Sequence, residues 1–511
     1  MTRFRELGLR ERSGFVLAPL ALFGSGFGLS GSLAYQARWA LGIGLCMAIL
    51  WITESVPLWA TALLPLLLFP VFGISSPGKL IVEYFDPVNF LFMGGMMLAA
   101  ALEEWNVHER LALGMVARIG VSPRRIVLGF MVTTAFISLW ISNTAAAVML
   151  FPIAMAVLKE LGRQPGITEG DVRKLGLALM LGVAYAASIG GIGCKIGTGT
   201  NLVFVKQAAT LLPHEVTFSS WFKIGLPVVL LAIPLAWLYL VRVAAPISGE
   251  PIPGAREAID ARRASLGRMS RGELSALIGF VGAAFLWTFR QEMDFGVLRI
   301  PGWSGLIPDS WSKVGQGLPE PLKGLLGPRG AESVVALAIV LVLLLLPAGG
   351  KRQVLSLKAA GGISWGLLVM LGGGFAMASG IQQSGLSQVL TETLGGVRGL
   401  PPLVVMIAVC LFTTGLSEVA SNTATASILL PVLASVSPQW GLSAGTTMFA
   451  ATLSASFGFM LPAGTPPNAV AFASGYIPVT SMVRAGLVVD LVGATVIALV
   501  CYYLGPWALG Y

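Results

Sequence analysis

The stretches ISNTAAAVMLFP at residues 141–152 and EVASNTATASILLP at residues 418–431 share the tripeptide Ser-Asn-Thr. The two tripeptides lie 279 residues apart, and each is embedded in a long apolar run. Neutral oxygen-bearing side chains are costly inside hydrocarbon unless they bind something. Two such clusters at matching places in two halves indicate one shared site at a repeat interface, which is typical of secondary transporters.

The composition of the chain is that of a polytopic membrane protein. Of its 511 residues, 55% are hydrophobic and only 11% are charged, whereas a soluble domain averages about 25% charged residues. Apolar runs such as 274–289 and 333–347 are long enough to predict membrane-spanning helices. We therefore predict an all-α membrane protein with about 11 transmembrane helices.

The net charge of +9 reflects basic residues in short loops. They cluster before the first apolar stretch, within 247–273 and at 351–358, and the positive-inside rule assigns these segments to the cytoplasm. The less basic segment 291–331 is expected on the outside. This distribution argues against a nucleic-acid partner. Four scattered cysteines without a CxxC pair predict neither a disulfide framework nor a zinc site, and two histidines argue against a histidine-based metal site. The sequence predicts no enzyme. It contains no phosphate-binding GxxxxGK[ST] motif, which argues against an ATP-driven pump.

An internal duplication organises the chain. The pairs Gly94-Gly95 and Gly373-Gly374 have the same 279-residue offset as the tripeptides, and the motifs at 197–201 and 464–468 correspond at an offset of 267. We predict two inverted repeats. The expected organisation is an N-terminal segment with the first span, a first repeat, a cytoplasmic connecting segment and a second repeat, at 1–37, 38–245, 246–273 and 274–507.

Each repeat is expected to contain a re-entrant helical hairpin and a broken helix. The apolar stretches 126–158 and 402–435 are 33 and 34 residues long, too long for one span of about 20 residues and too short for two spans and a loop. Ser and Asn are weak helix formers, so Ser-Asn-Thr is expected at the hairpin tip. Glycine and proline interrupt the apolar runs 176–211 and 446–475, which predicts the two broken helices.

The hairpin tips and breaks offer neutral oxygens to a cation, for which we expect sodium. Ser138 and Ser142 are four residues apart and share a helix face. With them we group, as candidate ligands in the first half, Asn143 and carbonyls near Gly197. The candidates in the second half are Ser417, Ser421, Asn422 and carbonyls near Gly464 and Pro466. The alternative is that these side chains form hydrogen bonds between helices.

The same tips expose helix N-termini, whose amides favour anions. Asn143, Thr144, Asn422 and Thr423 could each donate a hydrogen bond to a carboxylate. Two similar halves suggest a ligand with an anionic group at each end. Because the motifs carry almost no fixed positive charge, a bound dianion needs compensating cations, which is a physical reason for cation coupling. The alternative for the threonines is a hydrogen bond back to their own helix.

Two charged side chains lie close to these motifs. Lys195 is in the first broken segment, where its ammonium could bind the anion, replace a bound cation, or extend to the cytoplasmic surface. Glu418 precedes the second tripeptide. It could tune the second cation site, although we expect it to pair with a backbone or side-chain donor at the hairpin.

At these motifs the chain resembles the divalent anion:sodium symporter family, the bacterial and animal carriers of di- and tricarboxylates. The resemblance covers nearly the whole chain. Besides the two Ser-Asn-Thr stretches, it rests on WITESVPLWATALLP at 51–65, FMGGMMLAAALEEWNVHERLAL at 92–113, SIGGIGCKIGTGTN at 188–201 and FGFMLPAGTPPNAVAF at 457–472.

The resemblance implies a homodimer in the cell inner membrane, with a transport domain that moves like an elevator against a scaffold domain. It implies a first sodium site formed by Ser138, Ser142, Asn143 and Gly197, and a second formed by Ser417, Ala420, Ser421, Asn422, Gly464 and Pro466. The implied substrate contacts are Asn143, Thr144, Thr198, Asn422, Thr423 and Thr465. Two intact motifs are closer to carriers of C4-dicarboxylates, so the expected substrates are succinate, malate and fumarate. Sodium is then a co-transported ligand, and no other cofactor is expected.

Alternatives to sodium-coupled dicarboxylate transport remain. Lys195 departs from the neutral residue expected in its loop, and some relatives are sodium-independent dicarboxylate exchangers, in which a lysine could replace the cation. Transport of sulfate or another inorganic anion is a further possibility. An ion channel is disfavoured by the paired hairpins, and an intramembrane enzyme by the lack of a nucleophile–base or metal set.

Overall fold

A computed structural model of the chain describes residues 8–120, 122–163, 167–212, 216–250, 255–294, 299–306, 331–349, 352–394, 399–462 and 464–510. Eight helices in these ranges are long and apolar enough to cross a membrane: Tyr35–Thr53, Pro77–Glu104, Asn143–Leu161, Glu169–Gly191, Phe218–Ala244, Leu357–Gln383, Pro402–Val419 and Val479–Leu509. The all-α membrane class is therefore confirmed. The count of about 11 spans and the inverted repeats stay predictions, and most of the segment expected on the outside, 291–331, lies beyond the described residues.

The first half of the chain forms twelve α-helices within the described ranges. They are α1 Leu9–Gly28, α2 Tyr35–Thr53, α3 Leu58–Thr61, α4 Leu64–Val71, α5 Pro77–Tyr84, α6 Pro87–Glu104, α7 Val107–Ile119, α8 Pro123–Ser138, α9 Asn143–Leu161, α10 Glu169–Gly191, α11 Gly199–Leu211 and α12 Phe218–Tyr239. A π-helical turn, Leu240–Ala244, extends α12. The first Ser-Asn-Thr lies at the break between α8 and α9.

The second half of the chain forms eleven α-helices within the described ranges. Its helices are α13 Ala255–Ser265, α14 Arg271–Thr288, α15 Ala331–Leu345, α16 Leu357–Gly361, α17 Trp365–Gln383, α18 Leu386–Leu394, α19 Pro402–Val419, α20 Asn422–Val436, α21 Ala444–Ser454, α22 Pro466–Phe472 and α23 Val479–Leu509. Short 3-10 turns lie at Trp303–Leu306 and Ser437–Trp440. Two antiparallel pairs of short strands complete the fold: β1 Met293–Asp294 with β2 Arg299–Ile300, and β3 Pro347–Gly349 with β4 Arg352–Gln353.

The duplicated glycine pairs allow close helix contacts. A methyl group on Gly94 of α6 would lie 2.5 Å from the side chain of Ala336 in α15. A methyl group on Gly373 of α17 would lie 2.2 Å from the carbonyl oxygen of Ala62. Small residues let helix backbones approach closely in membranes, where association depends on packing because lipid is as apolar as the side chains.

Two groups of buried apolar side chains hold the helices together. The larger one extends from α6 to α23 and includes Ile141 and Ala146, which flank the first Ser-Asn-Thr. The smaller one joins the N-terminal helices α1 to α5 to α17 and includes Ala424, which follows the second Ser-Asn-Thr. Both groups therefore adjoin the candidate site.

Candidate functional site

The first hairpin tip brings a serine and an asparagine into contact. Helix α8 ends at Ser138 and α9 begins at Asn143. The Ser138 hydroxyl lies 3.0 Å from Asn143 Oδ1 and 2.5 Å from the carbonyl oxygen of Ala187 in α10. Ser142 caps α9, since its hydroxyl accepts a hydrogen bond from the Ala145 amide at 3.3 Å. The tip is thus tied to the broken helix behind it.

The second tip has the same arrangement. Helix α19 ends at Val419 and α20 begins at Asn422. The Ser417 hydroxyl lies 2.8 Å from Asn422 Oδ1 and 2.5 Å from the carbonyl oxygen of Ala455, which follows α21. The correspondence with Ser138, Asn143 and Ala187 places equivalent chemical groups in both halves.

Two further asparagines organise the breaks, and their roles were missed in the sequence. In the first turn of α11, Asn201 Nδ2 donates to the carbonyl oxygens of Gly191 at 2.9 Å and Cys194 at 2.7 Å. In the first turn of α22, Asn468 Nδ2 donates to the equivalent oxygens of Gly458 and Leu461, at 2.8 and 3.0 Å. The 267-residue offset could have found this pair, because both asparagines end the motifs it relates.

Carbonyl oxygens crowd around Gly197 in the first break. A methyl group on this residue would lie 2.3 Å from Gly191 O, 2.8 Å from Ser138 O and 2.9 Å from Leu139 O. Only a glycine fits among these three oxygens. Hard cations prefer oxygen ligands, so this neutral cluster has the chemistry expected for a sodium site.

The second break differs because a carboxylate joins it. A methyl group on Gly464 would lie 3.0 Å from Glu418 Oε2 and 3.0 Å from Gly458 O. The Glu418 carboxylate also accepts hydrogen bonds from the backbone amides of Met460 at 2.8 Å and Leu461 at 3.2 Å. The expected backbone pairing of Glu418 is found, although its partners are in the break and not at the hairpin.

The two halves pack against each other crosswise. Helix α9 of the first tip contacts α22 of the second half, and α20 of the second tip contacts α11 of the first. Thr423 Oγ1 would lie 3.3 Å from a methyl group on Gly199, which follows Thr198. Both Thr198 and Thr465 are extended N-cap residues, directly before α11 and α22. The crossing brings the second Ser-Asn-Thr next to the first break.

The candidate residues differ in their burial. Ser138, Ser417 and Thr465 are buried, as are Asn143, Thr423, Ala420, Gly197 and Gly464. Ser142, Thr144, Thr198, Ser421 and Asn422 are half-buried, and Pro466 is exposed. A cavity of about 560 Å³ is lined by Ser142 and Ala145 of the first tip. The residues that line the rest of it include Glu103, Glu104, Arg352 and Lys358. The first tip is therefore accessible from one side of the protein.

Lys195 has a carboxylate partner that the sequence did not suggest. Its side chain is 3% exposed, so the alternative in which it extends to the cytoplasmic surface is wrong. Its ammonium lies 2.7 Å from Glu332 Oε2 in α15 and 5.3 Å from the centre of the Phe218 ring. Arg290 Nε lies 3.2 Å from the other carboxylate oxygen of Glu332. The positive charge thus has a buried counter-ion.

The apolar helices around this site are those of a multi-pass membrane protein, and comparison with known proteins identifies its class as a transporter. A sequence model described as the sodium:sulfate symporter transmembrane region matches residues 27–509. The chain is 36% identical to the sodium-dependent dicarboxylate transporter SdcS of Staphylococcus saprophyticus over 484 residues, 94% of this chain and 88% of the relative. It is 35% identical to SdcS of Staphylococcus aureus strain MRSA252 over 483 residues, with the same coverage.

The chain therefore belongs to the sodium:sulfate symporter, or divalent anion:sodium symporter, family. It is a transporter and not an enzyme, and it is a multi-pass protein of the cell inner membrane. The resemblance seen in the motifs is confirmed.

Solved structures show the same general fold at low sequence identity. The YdaH transporter of Alcanivorax borkumensis is similar with a TM-score of 0.51 and 15% identity, over 84% of this chain and 88% of that protein. MtrF of Neisseria gonorrhoeae is similar with a TM-score of 0.52 and 15% identity, over 97% of this chain and 95% of that protein. At this identity the likeness concerns the fold alone.

Proposed function

We propose that this protein is a secondary transporter that couples sodium to the movement of C4-dicarboxylates such as succinate, malate and fumarate. The observation that carries the proposal is the duplicated serine–asparagine contact, Ser138–Asn143 and Ser417–Asn422. Each contact adjoins a break rich in carbonyl oxygens. The names of the staphylococcal relatives, sodium-dependent dicarboxylate transporters, support the same ion and the same class of substrate.

In this proposal the ions and the substrate bind where the two halves of the chain pack against each other. Sodium binds the oxygens of Ser138, Ser142, Asn143 and Gly197 in the first half, and of Ser417, Ala420, Ser421, Asn422, Gly464 and Pro466 in the second. The dianion accepts hydrogen bonds from Asn143, Thr144, Thr198, Asn422, Thr423 and Thr465. Bound cations offset the substrate charge, since Lys195 is paired with Glu332. Elevator-type alternating access in a homodimer completes the proposal, supported by the family resemblance.

Two alternatives, one in the coupling ion and one in the substrate, can be distinguished from this proposal by experiment. In a sodium-independent exchanger, Lys195 would replace a cation; its pairing with Glu332 disfavours this role, because the carboxylate offsets its charge. Transport of sulfate or another inorganic anion is favoured only by the family description. Competition of labelled succinate uptake by sulfate separates this substrate class from dicarboxylates.

Uptake of labelled succinate into proteoliposomes tests the proposal. We expect uptake into vesicles without internal dicarboxylate to require an inward sodium gradient and to stop when choline replaces sodium. Uptake that ignores sodium but requires internal dicarboxylate would instead establish exchange. The variants Asn143→Ala and Asn422→Ala should both lose uptake, and normal transport in both would refute the assignment of the site.

A further inference from the structure

A buried charge cluster, which contains the Lys195–Glu332 pair, lies beside the first break. Glu332, at the start of α15, is 2% exposed, and its carboxylate lies between Lys195 and Arg290, at 2.7 and 3.2 Å. The carbonyl oxygen of Glu332 also accepts a hydrogen bond from Trp287 Nε1 at 2.9 Å. The carboxylate is therefore held by two cations from separate parts of the chain, and Trp287 holds the backbone of the same residue.

This cluster is connected to the first candidate cation site through a short piece of backbone. Lys195 is two residues before Gly197, around which the carbonyl oxygens of the first break gather. The loop is held on its other side by Asn201, whose amide donates to Gly191 O and Cys194 O. The position of Lys195 thus bears directly on the geometry and on the electrostatic potential of this break.

The two halves are electrostatically opposite at these places. The residue equivalent to Lys195 at the 267-residue offset is Pro462, which carries no charge, and the second break instead contains the carboxylate of Glu418. The second break is thus favourable for a cation without further help. At the first break, an ammonium without a counter-ion would repel a second cation through a medium of low dielectric.

We propose that Glu332 is a positioning residue for cation binding at the first break. It draws the Lys195 ammonium towards α15 and the Phe218 ring and offsets its charge, so that the oxygens around Gly197 accept sodium. This inference rests on the proposed sodium coupling and deepens it. Glu332 lies on a helix that is distant in sequence and outside both repeat motifs, yet it determines the sodium affinity of one site.

The test measures the sodium concentration that gives half-maximal succinate uptake, at saturating succinate, in the full-length protein in proteoliposomes. Glu332→Gln leaves the ammonium without its carboxylate and should raise this concentration by about tenfold or more. Lys195→Gln should not raise it. The double variant Lys195→Gln/Glu332→Gln removes the ammonium beside the break together with its carboxylate, leaves Arg290 as the one charge of this cluster, and should return within about threefold of the wild type.

A matched control separates this role from general stabilisation by an ion pair. Lys206 lies about two turns beyond the break along α11, and it pairs with Asp86 and, at 3.3 Å, with Glu83. Lys206→Gln should leave the sodium concentration for half-maximal uptake unchanged. Binding of labelled sodium to detergent-purified protein provides a second readout for variants with low transport rates, and size-exclusion chromatography verifies that each one is folded.

The outcomes distinguish this inference from the proposed function. A wild-type protein that transports without sodium overturns both. A sodium-dependent wild type with an unchanged sodium requirement in Glu332→Gln overturns only the inference about Glu332. An equal loss in Glu332→Gln and in the double variant would also overturn it, because the effect would then follow from a lost structural contact and not from charge.

Discussion

Substitution of Gly197 by alanine tests the first cation site most directly. The added methyl group would lie 2.3 Å from Gly191 O, whereas ordinary contacts begin near 3.4 Å. The backbone must therefore separate by about 1 Å at the point where the carbonyl oxygens of Ser138 and Leu139 also converge. A misplacement of about 1 Å in a site with positioned groups can lower the rate about 100-fold, equivalent to about 2.7 kcal/mol.

We expect Gly197→Ala to lower sodium-dependent succinate uptake by about 100-fold at limiting sodium. The assay is initial-rate uptake into proteoliposomes over a range of sodium concentrations, normalised to the amount of inserted protein. Gly282→Ala in α14 is the matched control, because no atom lies within 4 Å of its added methyl group. Uptake by Gly197→Ala within threefold of the control would refute the reasoning.

Three other changes have defined outcomes. Asn468→Ala removes two hydrogen bonds to loop carbonyls and should lower stability by about 1–3 kcal/mol, measured as a lower thermal transition in detergent; an unchanged transition would contradict its role. Glu418→Gln removes the charge beside the second break and should raise the sodium requirement for uptake, so an unaltered requirement would exclude Glu418 from cation binding. Ser417→Ala removes the hydroxyl beside Asn422 and should weaken sodium binding, whereas Thr495→Ala, whose hydroxyl bonds to its own helix at an exposed position, should not.

The local pattern predicted the main features of the site. Weak helix formers inside apolar runs marked the ends of α8 and α19, since Ser, Asn and Thr compete with the helix for backbone hydrogen bonds. The repeated spacing then indicated that the two tips carry equivalent contacts. Glycine and proline likewise marked the loops before α11 and α22, because neither residue sustains a helix there.

The sequence pattern was less informative about the partners of the charged side chains. Lys195 could be interpreted as a surface lysine or as a cation substitute, because its neighbours in sequence carry no acid. Glu418 was expected to pair at its own hairpin, but its carboxylate accepts from amides more than 40 residues further along the chain. A partner at this separation leaves no local periodicity or spacing by which to find it.

By itself, the sequence determined the membrane class, the recurrence of the motifs and the places where helices stop, because these follow from hydropathy, spacing and backbone preference over short distances. Only the tertiary structure decided that the halves cross, that Asn201 and Asn468 hold the breaks, and that Glu332 forms an ion pair with Lys195. The physical reason is that electrostatic and hydrogen-bond partners are chosen by distance in space. Glu332 and Lys195 are 137 residues apart in the chain, yet their charged atoms are 2.7 Å apart.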